Sequence, residues 1–315
     1  MYKKKKIAVV VVAYNEEKYI SEVINTIPNF IDYVVVVDDC STDNTPQLIK
    51  KNKDKRLIRI RHEKNQGVAA AVIDGHKEAM KKGVDICVVM GGDGQMQPEF
   101  LPNIIDPVIE QNYDYVKGNR FMRSKHLEKM PLHRVLGNLI LTFMTKLSSG
   151  YWQIFDPQHG YTAIKTSVLK DLNLDKMRKN RFRFENDMLV NLNIGNYRVK
   201  DVPIPSKYED PRSHNSHIRL YSFVPKTTLF LFNSFFKRIF KKYFWYNFHI
   251  LSLFILAALP LLLISIIQGI IIVYNSYALI KPPTTGQILL VLLPFLVGFQ
   301  LLLAALILDI LNEPK

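Results

Sequence analysis

Cysteine is scarce, with two residues, Cys40 and Cys87, in a chain of 315. Two thiols cannot staple a chain of this length, so a disulfide scaffold is excluded and a reducing compartment fits. Cys87 stands in the apolar run Ile86-Cys87-Val88-Val89-Met90 and reads as a small core residue. Tryptophan is equally rare, at two residues, and the 14 glycines show no collagen-like period. Intrinsic disorder is excluded by a hydrophobic content of 48%. The length allows about two domains. The most telling shortage is charge beyond residue 249. There the only basic or acidic side chains are Lys281, Asp309, Glu313 and Lys315, so the whole net charge of +14 belongs to residues 1–249. A basic, polar front joined to a nearly uncharged back points to a membrane surface or a phosphate-bearing partner.

Two uncharged runs dominate that back, Ile250–Tyr274 and Ile288–Leu308, and each exceeds the ~20 apolar residues a bilayer span needs. Pro260 and Pro294 lie inside them, where neighbouring helices can cover the freed carbonyls. Lys237, Arg238, Lys241 and Lys242 precede the first run, against Lys281 alone between the two. The excess places the front of the chain in the cytoplasm and the short turn outside. Ile7–Val12 after the opening lysines is too short for the apolar core of a signal peptide. Between front and back, Phe223–Tyr246 interleaves phenylalanines with lysine and arginine, a composition suited to helices lying in the headgroup layer. The expected division is 1–215 for the soluble domain and 216–246 for the interfacial segment. Spans at 247–275 and 288–309 follow, joined by a loop at 276–287, with a tail at 310–315.

In the soluble part, Ile7–Val12, Val34–Val37, Leu57–Ile60 and Ile86–Met90 read as strands, with helices Glu17–Thr26, Thr45–Lys53 and Val68–Lys82 between them. Continuous Val/Ile runs suit strands buried on both faces. The alternation predicts an α/β doubly wound, mostly parallel sheet, with ligands beyond the carboxyl ends of its strands. Polar clusters fall at three such ends: Ala13-Tyr14-Asn15-Glu16, Asp38-Asp39-Cys40-Ser41-Thr42-Asp43 and Gly91-Gly92-Asp93-Gly94-Gln95. The second cluster alone reads equally as a helix N-cap. Together the clusters offer oxygen ligands of the kind that suit Mg²⁺ or Mn²⁺. No Gly-x-x-x-x-Gly-Lys-Ser/Thr loop is present, and no Gly-x-Gly-x-x-Gly follows the first strand, which argues against P-loop NTPases and dinucleotide dehydrogenases. The positive charge comes with no nucleic-acid-binding motif, so no nucleic-acid partner is expected.

These clusters resemble family-2 glycosyltransferases of the GT-A fold, and within them the polyprenyl-phosphate or dolichyl-phosphate glycosyltransferases with two C-terminal membrane helices. The likeness spans about residues 7–215 and continues through Asn65-Gln66-Gly67, Gly118-Asn119-Arg120-Phe121, Asp156-Pro157-Gln158-His159-Gly160-Tyr161 and Phe184-Glu185-Asn186-Asp187. It implies that Ala13, Tyr14 and Glu16 line the base and ribose, and that Asp39 contacts the base or its ribose. Asp93 would ligate the metal with help from Gln95. Arg120, Arg134 and Asn138 would cradle the acceptor phosphate, with Asp156, Glu185 and Asp187 near the sugar. Asp93, Arg120, Arg134 and Asp156 are the expected catalytic set. Glu185 and Asp187 also suit a helix start, and His62 and His159 read as structural.

Two positions depart from the family pattern. Val12 stands where proline is frequent, and Gly91 replaces the first Asp of Asp-x-Asp, so a metal would rest on Asp93, Gln95 and the diphosphate. The Gln-x-x-Arg-Trp element of processive synthases is absent. The resemblance implies inverting transfer of a hexose, glucose first, from a UDP-sugar to a polyprenyl phosphate in the membrane. The alternatives are another lipid or glycan acceptor, or a non-catalytic nucleotide-sugar-binding module. The resemblance also allows a homo-oligomer, a tetramer, assembled through the membrane helices.

Overall fold

A computed structural model describes residues 1–120, 132–205, 220–278 and 282–315. The chain divides into two compact units, Met1–Phe235 with Pro314–Lys315, and Phe236–Glu313.

The first unit is built on strands β1 (Ile7–Ala13), β2 (Tyr33–Asp38), β3 (Leu57–Arg61), β4 (Ile86–Gly91), β5 (Tyr115–Asn119), β6 (Thr162–Lys165) and β7 (Val199–Pro203). Among the described residues they form one sheet in the order β3-β2-β1-β4-β6-β5-β7. Every pairing is parallel except those of β6 with β4 and with β5. The order runs outward from β1 to β3 and then jumps back to β4 beside β1. That jump is the topological switch point at which such sheets open a ligand crevice.

Alternation along β1 builds the two cores. Ile7, Val9 and Val11 face α1 (Ile20–Thr26) and α4 (Leu101–Glu110), through Ile20, Val23, Leu101 and Ile104. Ala8 and Val10 face the other layer, which holds Ala69, Val72 and Ile73 of α3 (Val68–Lys81) and Leu189 of α8 (Phe184–Ile194). Helix α3 lies directly on β1, since a Cβ on Gly75 would come within 2.2 Å of Val10 Cγ1. At the sheet edge, β3 exposes Arg59 and Arg61, charges that discourage pairing with another chain. The remaining helices of the unit are α2 (Thr45–Lys51), α5 (Leu132–Ser149), α6 (Thr166–Asp171) and α7 (Leu174–Met177).

The sheet is the mostly parallel, doubly wound one expected from the Val/Ile runs. Its element boundaries shift by one to three residues, most at α1, which starts at Ile20 because Glu16 to Tyr19 form a turn in which Glu16 O accepts the N–H groups of Tyr19 and Ile20.

Helix α9 (Leu220–Ile239) buries Thr227, Leu231, Ser234 and Arg238 along one stripe and exposes Leu229, Phe232 and Phe236 on the opposite face. In the second unit a π-helical turn, Phe240–Trp245, precedes α10 (Ile250–Ala278) and α11 (Thr285–Leu311). Both helices are long and apolar enough to cross a membrane, with 22% and 11% of their apolar windows buried, so most of that surface faces outward. They pack antiparallel through small residues. Ser265 Oγ donates to Val291 O at 2.8 Å, and a Cβ on Gly298 would lie 2.9 Å from Leu262 Cγ. Arg238 grips Asp309 with two bonds of 2.6 and 2.7 Å, and the Tyr243 hydroxyl donates to the same carboxylate at 2.7 Å. These donors satisfy an otherwise costly buried carboxylate at the end of α11.

Candidate active site

The carboxyl ends of β1 and β2 are stitched together by side chains of their polar clusters, and the end of β4 joins β1 through the Gly92 N–H, which donates to Val12 O at 2.8 Å. Asn15 adopts a left-handed backbone, φ 59°, which turns the chain sharply after β1. Its N–H donates to Ser41 Oγ at 2.9 Å, and its Oδ1 accepts the Thr42 N–H at 2.8 Å. The Glu16 N–H donates to Thr45 Oγ1 at 2.8 Å. Asp43, just before the N-cap Asn44, accepts the N–H groups of Thr45 and Glu17, so the cluster both holds the first N–H of α2 and fixes the β1 loop. Ala13 is buried at this junction, and Tyr14 is exposed beside it.

Asp39 is buried, and its carboxylate pins the turn that follows β3. Oδ1 accepts the Gln66 N–H and Oδ2 the Gly67 N–H, both at 2.8 Å, and His62 Nδ1 lies 2.7 Å from Oδ1.

After β4, Gly94 takes φ 72° and closes a tight turn in which the Gln95 N–H donates to Asp93 Oδ1 at 3.1 Å. A Cβ on Gly91 would lie 2.9 Å from that same oxygen. Glycine at 91 therefore gives the Asp93 carboxylate the space it occupies. Gly91→Ala is expected to push the Asp93 carboxylate aside with the melting temperature unchanged. A crystal structure of the variant checks this, and an Asp93 side chain left in place contradicts it.

Glu16 shares this pole. Loss of solvent, and then the carboxylates of Asp93 and Asp43, push its carboxyl up to about 7. Because the folded value lies above the ordinary one, the stability linked to Glu16 is present at low pH and is lost as pH rises through 7. The melting temperature of Glu16→Gln is therefore expected to gain on that of the unmodified, ligand-free protein across that rise. A gap that stays constant with pH contradicts the placement.

A second pole lies at the end of β5. Arg120 Nε and Nη2 reach the two oxygens of Asp156 at 2.7 and 3.0 Å, and the Arg120 N–H adds a third bond at 3.2 Å. Burial would raise the Asp156 carboxyl, but the Arg120 bonds outweigh it and hold the carboxyl below the usual range. Beneath the pair sits Lys117, fully buried, donating to the main-chain oxygens of Asp156 and His159. Asp201 of β7 completes the support by accepting the Phe155 N–H at 2.7 Å and the Asn119 amide at 2.8 Å. The imidazole of His159 is driven down to about 3, first by burial and then by Lys117 and Arg120, so it is neutral at physiological pH.

Glu185 stands at the start of α8, and its Oε1 would be 4.0 Å from a Cβ on Gly160, which sets it against the Gln158-His159-Gly160 turn. Desolvation pushes its carboxyl up to about 7. Asp187, one turn into α8, is buried and accepts from Asn191 at 2.9 Å. The side chains of Arg134 and Asn138, expected with Arg120 at the acceptor phosphate, lie outside the described residues.

The structure thus gathers the sequence-predicted residues into two groups: Ala13, Tyr14, Glu16, Asp39, Asp93 and Gln95 at the switch point, and Arg120, Asp156 and Glu185 about β5. Lys117, Asp201 and the contacts of His62 escaped the sequence reading. Lys117 interrupts a strand otherwise too short to stand out, and His62 meets partners far away in the chain.

The model of the family described as glycosyl transferase family 2 matches residues 8–172. The chain belongs to this family. The glycosyltransferase is 35% identical over 221 residues to the UDP-N-acetylglucosamine–dolichyl-phosphate N-acetylglucosaminyltransferase of Methanococcus voltae, a match covering 65% of this chain and 87% of that one. It is 29% identical to the dolichol-phosphate mannosyltransferase of Pyrococcus furiosus, over 63% of this chain and 55% of the relative. Among solved structures, the glucosyl-3-phosphoglycerate synthase of Mycobacterium tuberculosis, in complex with Mn²⁺, UDP and its product, superposes with a TM-score of 0.52 at 16% identity. That match covers 75% of the transferase and 80% of the synthase, and it shows the shared GT-A fold.

Proposed function

We propose that the enzyme transfers a hexose from a UDP-sugar to the phosphate of a membrane polyprenyl or dolichyl phosphate, with inversion at the anomeric carbon. The observation that carries the reading is the pairing of two poles on one sheet edge: acidic Asp93 at the switch point, and Arg120 locked by Asp156 at the end of β5. A donor diphosphate suits the first pole and an acceptor phosphate the second. The acceptor classes named for the archaeal relatives, and the two outward-facing apolar helices, support a lipid-borne acceptor.

The chemistry asks little of the protein beyond placement. A phosphate monoester has its second pKa at about 6, so it reaches the site largely as the dianion. Its oxygen attacks the anomeric carbon, and the bond to the nucleoside diphosphate breaks with its electron pair leaving on the diphosphate. No proton has to be removed, so the step needs no general base. Arg120, whose Nε and Nη2 are held by Asp156, supplies a fixed positive charge beside the incoming phosphate.

Among the described residues no three His, Cys, Asp or Glu side chains converge to hold an ion alone. The residues at the first pole do fit a shared ion, because Mg²⁺ is commonly held by one or two carboxylates together with substrate phosphates. Asp93 and Gln95 would hold it, and when bound it supplies positive charge to the departing diphosphate. In this reading the catalytic domain faces the cytoplasm and the turn between α10 and α11 lies outside, an orientation supported by the basic flank before α10.

The test is transfer by purified full-length enzyme in lipid, offering UDP-glucose, UDP-N-acetylglucosamine and GDP-mannose in turn, with Mg²⁺, Mn²⁺ or chelator. One UDP donor is expected to label the polyprenyl phosphate, and chelator to stop it. Labelling that survives chelation removes the metal, and no labelling from any donor removes the reading.

A further inference from the structure

Five residues from four chain segments close a ring around the turn at residues 65–67. Asp39 at the end of β2 meets His62 at 2.7 Å, and the other nitrogen of His62 lies 3.0 Å from Asp74 Oδ2 on α3. Arg178, just after α7, forks onto both oxygens of Asp74 at 2.7 Å. Its Nη2 also donates to Gln66 Oε1 at 2.8 Å, and the Gln66 N–H returns to Asp39 at 2.8 Å. Gly67 completes the turn at φ 90°, a conformation open to glycine, and gives its N–H to Asp39 Oδ2.

Asp39 and His62 are buried, whereas Arg178 holds Asp74 and Gln66 from a partly exposed rim. An imidazole and two main-chain N–H groups thus orient the Asp39 carboxylate directly, and the Arg178 guanidinium supports them through Asp74 and Gln66. The bonds leave that carboxylate a defined remainder. Oδ1 accepts two partners and Oδ2 one, and a carboxylate oxygen accepts about two hydrogen bonds. One acceptor site on Oδ2 thus stays available to a donor group, such as the imide N–H of a pyrimidine or a ribose hydroxyl.

We propose that His62, Asp74 and Arg178 are positioning residues for the nucleoside of the donor, acting by holding Asp39 and the 65–67 turn in the geometry that receives it. The inference rests on the reading of Asp39 as the base or ribose contact. Arg178 itself touches no substrate. Its effect passes through Asp74 and Gln66, and belongs to donor binding rather than to the chemical step.

The experiment uses full-length enzyme and UDP as the probe. UDP affinity is measured by calorimetry for Arg178→Met, Arg178→Lys, Asp74→Asn, Asp39→Asn and the double variant Asp39→Asn/Arg178→Met, alongside kcat and the KM for lipid phosphate. Outer partners that orient metal ligands are typically worth about ten- to a hundred-fold, and the lower end is expected for a ring that orients a nucleoside contact. Arg178→Met and Asp74→Asn are expected to weaken UDP by about ten-fold, with kcat and the lipid KM held within about two-fold. Arg178→Lys, which keeps the charge but loses the fork, should fall between. In the Asp39→Asn background, Arg178→Met should weaken UDP no further. If Asp39→Asn weakens UDP while folded Arg178 and Asp74 variants bind it normally, the ring proposal is overturned and the base contact stands. Equal losses in UDP affinity, kcat and lipid KM overturn it too, as general damage. If Asp39→Asn binds UDP normally, the base contact itself fails and the ring falls with it.

Discussion

Asp93→Asn is expected to lower sugar transfer by about three orders of magnitude, ~4 kcal/mol of transition-state stabilisation, with the melting temperature preserved. The substitution keeps shape and removes charge. Asn can still accept the Gln95 N–H through its own Oδ1, so the turn after β4 stays closed. What disappears is the carboxylate at the switch point that would share a divalent ion with the diphosphate. The loss should fall on kcat more than on donor KM, since the charge on the diphosphate grows as the glycosidic bond breaks. A second readout comes from Glu16, whose carboxyl is raised partly by Asp93. In Asp93→Asn the Glu16 titration should move back toward the ordinary carboxylate range. Transfer within ten-fold of the unmodified enzyme would show that Asp93 does not carry the ion.

Arg120→Met carries the next largest effect, and it touches stability and activity together. Asp156 is 1% exposed and takes three bonds from Arg120. Removing the guanidinium leaves a buried carboxylate short of partners, a change that typically costs about 3–5 kcal/mol. Lys117 does not replace it, because its ammonium is committed to the main-chain oxygens of Asp156 and His159. The pH sign follows from the lowered Asp156 value. Stability from the pair is present above the ordinary carboxylate range and is lost as pH falls through the lowered value. The structural and chemical roles of Arg120 separate in the double variant Arg120→Met/Asp156→Asn. Without the stranded charge, most of the melting temperature should return, while transfer stays low because the acceptor phosphate has lost the neighbouring cation. Recovery of both together would make Arg120 a purely structural cation.

The sequence disclosed some of this and hid the rest for physical reasons. Strands β1, β2 and β4 were legible because burial on both faces demands unbroken Val and Ile, and the polar clusters mark where that burial ends. Strands β5, β6 and β7 carried no such signal. They are four or five residues long, and β5 includes Lys117, a residue that reads as solvent-exposed until Asp156, His159 and Asp201 are seen around it. The cluster Ser41-Thr42-Asp43 looked equally like a helix cap and a binding loop, and it serves both the start of α2 and the loop after β1. His62 was read as structural, and its contacts supply the reason, but no spacing rule connects it to Asp74 and Arg178. Gly91 read as a missing metal ligand. In the folded chain it is the space into which Asp93 turns.

The central claim is that the acceptor is a lipid phosphate rather than a hydroxyl. It is tested most directly by giving the enzyme one active nucleotide sugar and three lipids in parallel vesicles: polyprenyl phosphate, the corresponding polyprenol and diacylglycerol. The expected result is sugar on the polyprenyl phosphate alone, in a product that mild acid splits to free sugar and polyprenyl phosphate. Sugar appearing on the polyprenol or on diacylglycerol, with the phosphate lipid left unlabelled, would contradict the account.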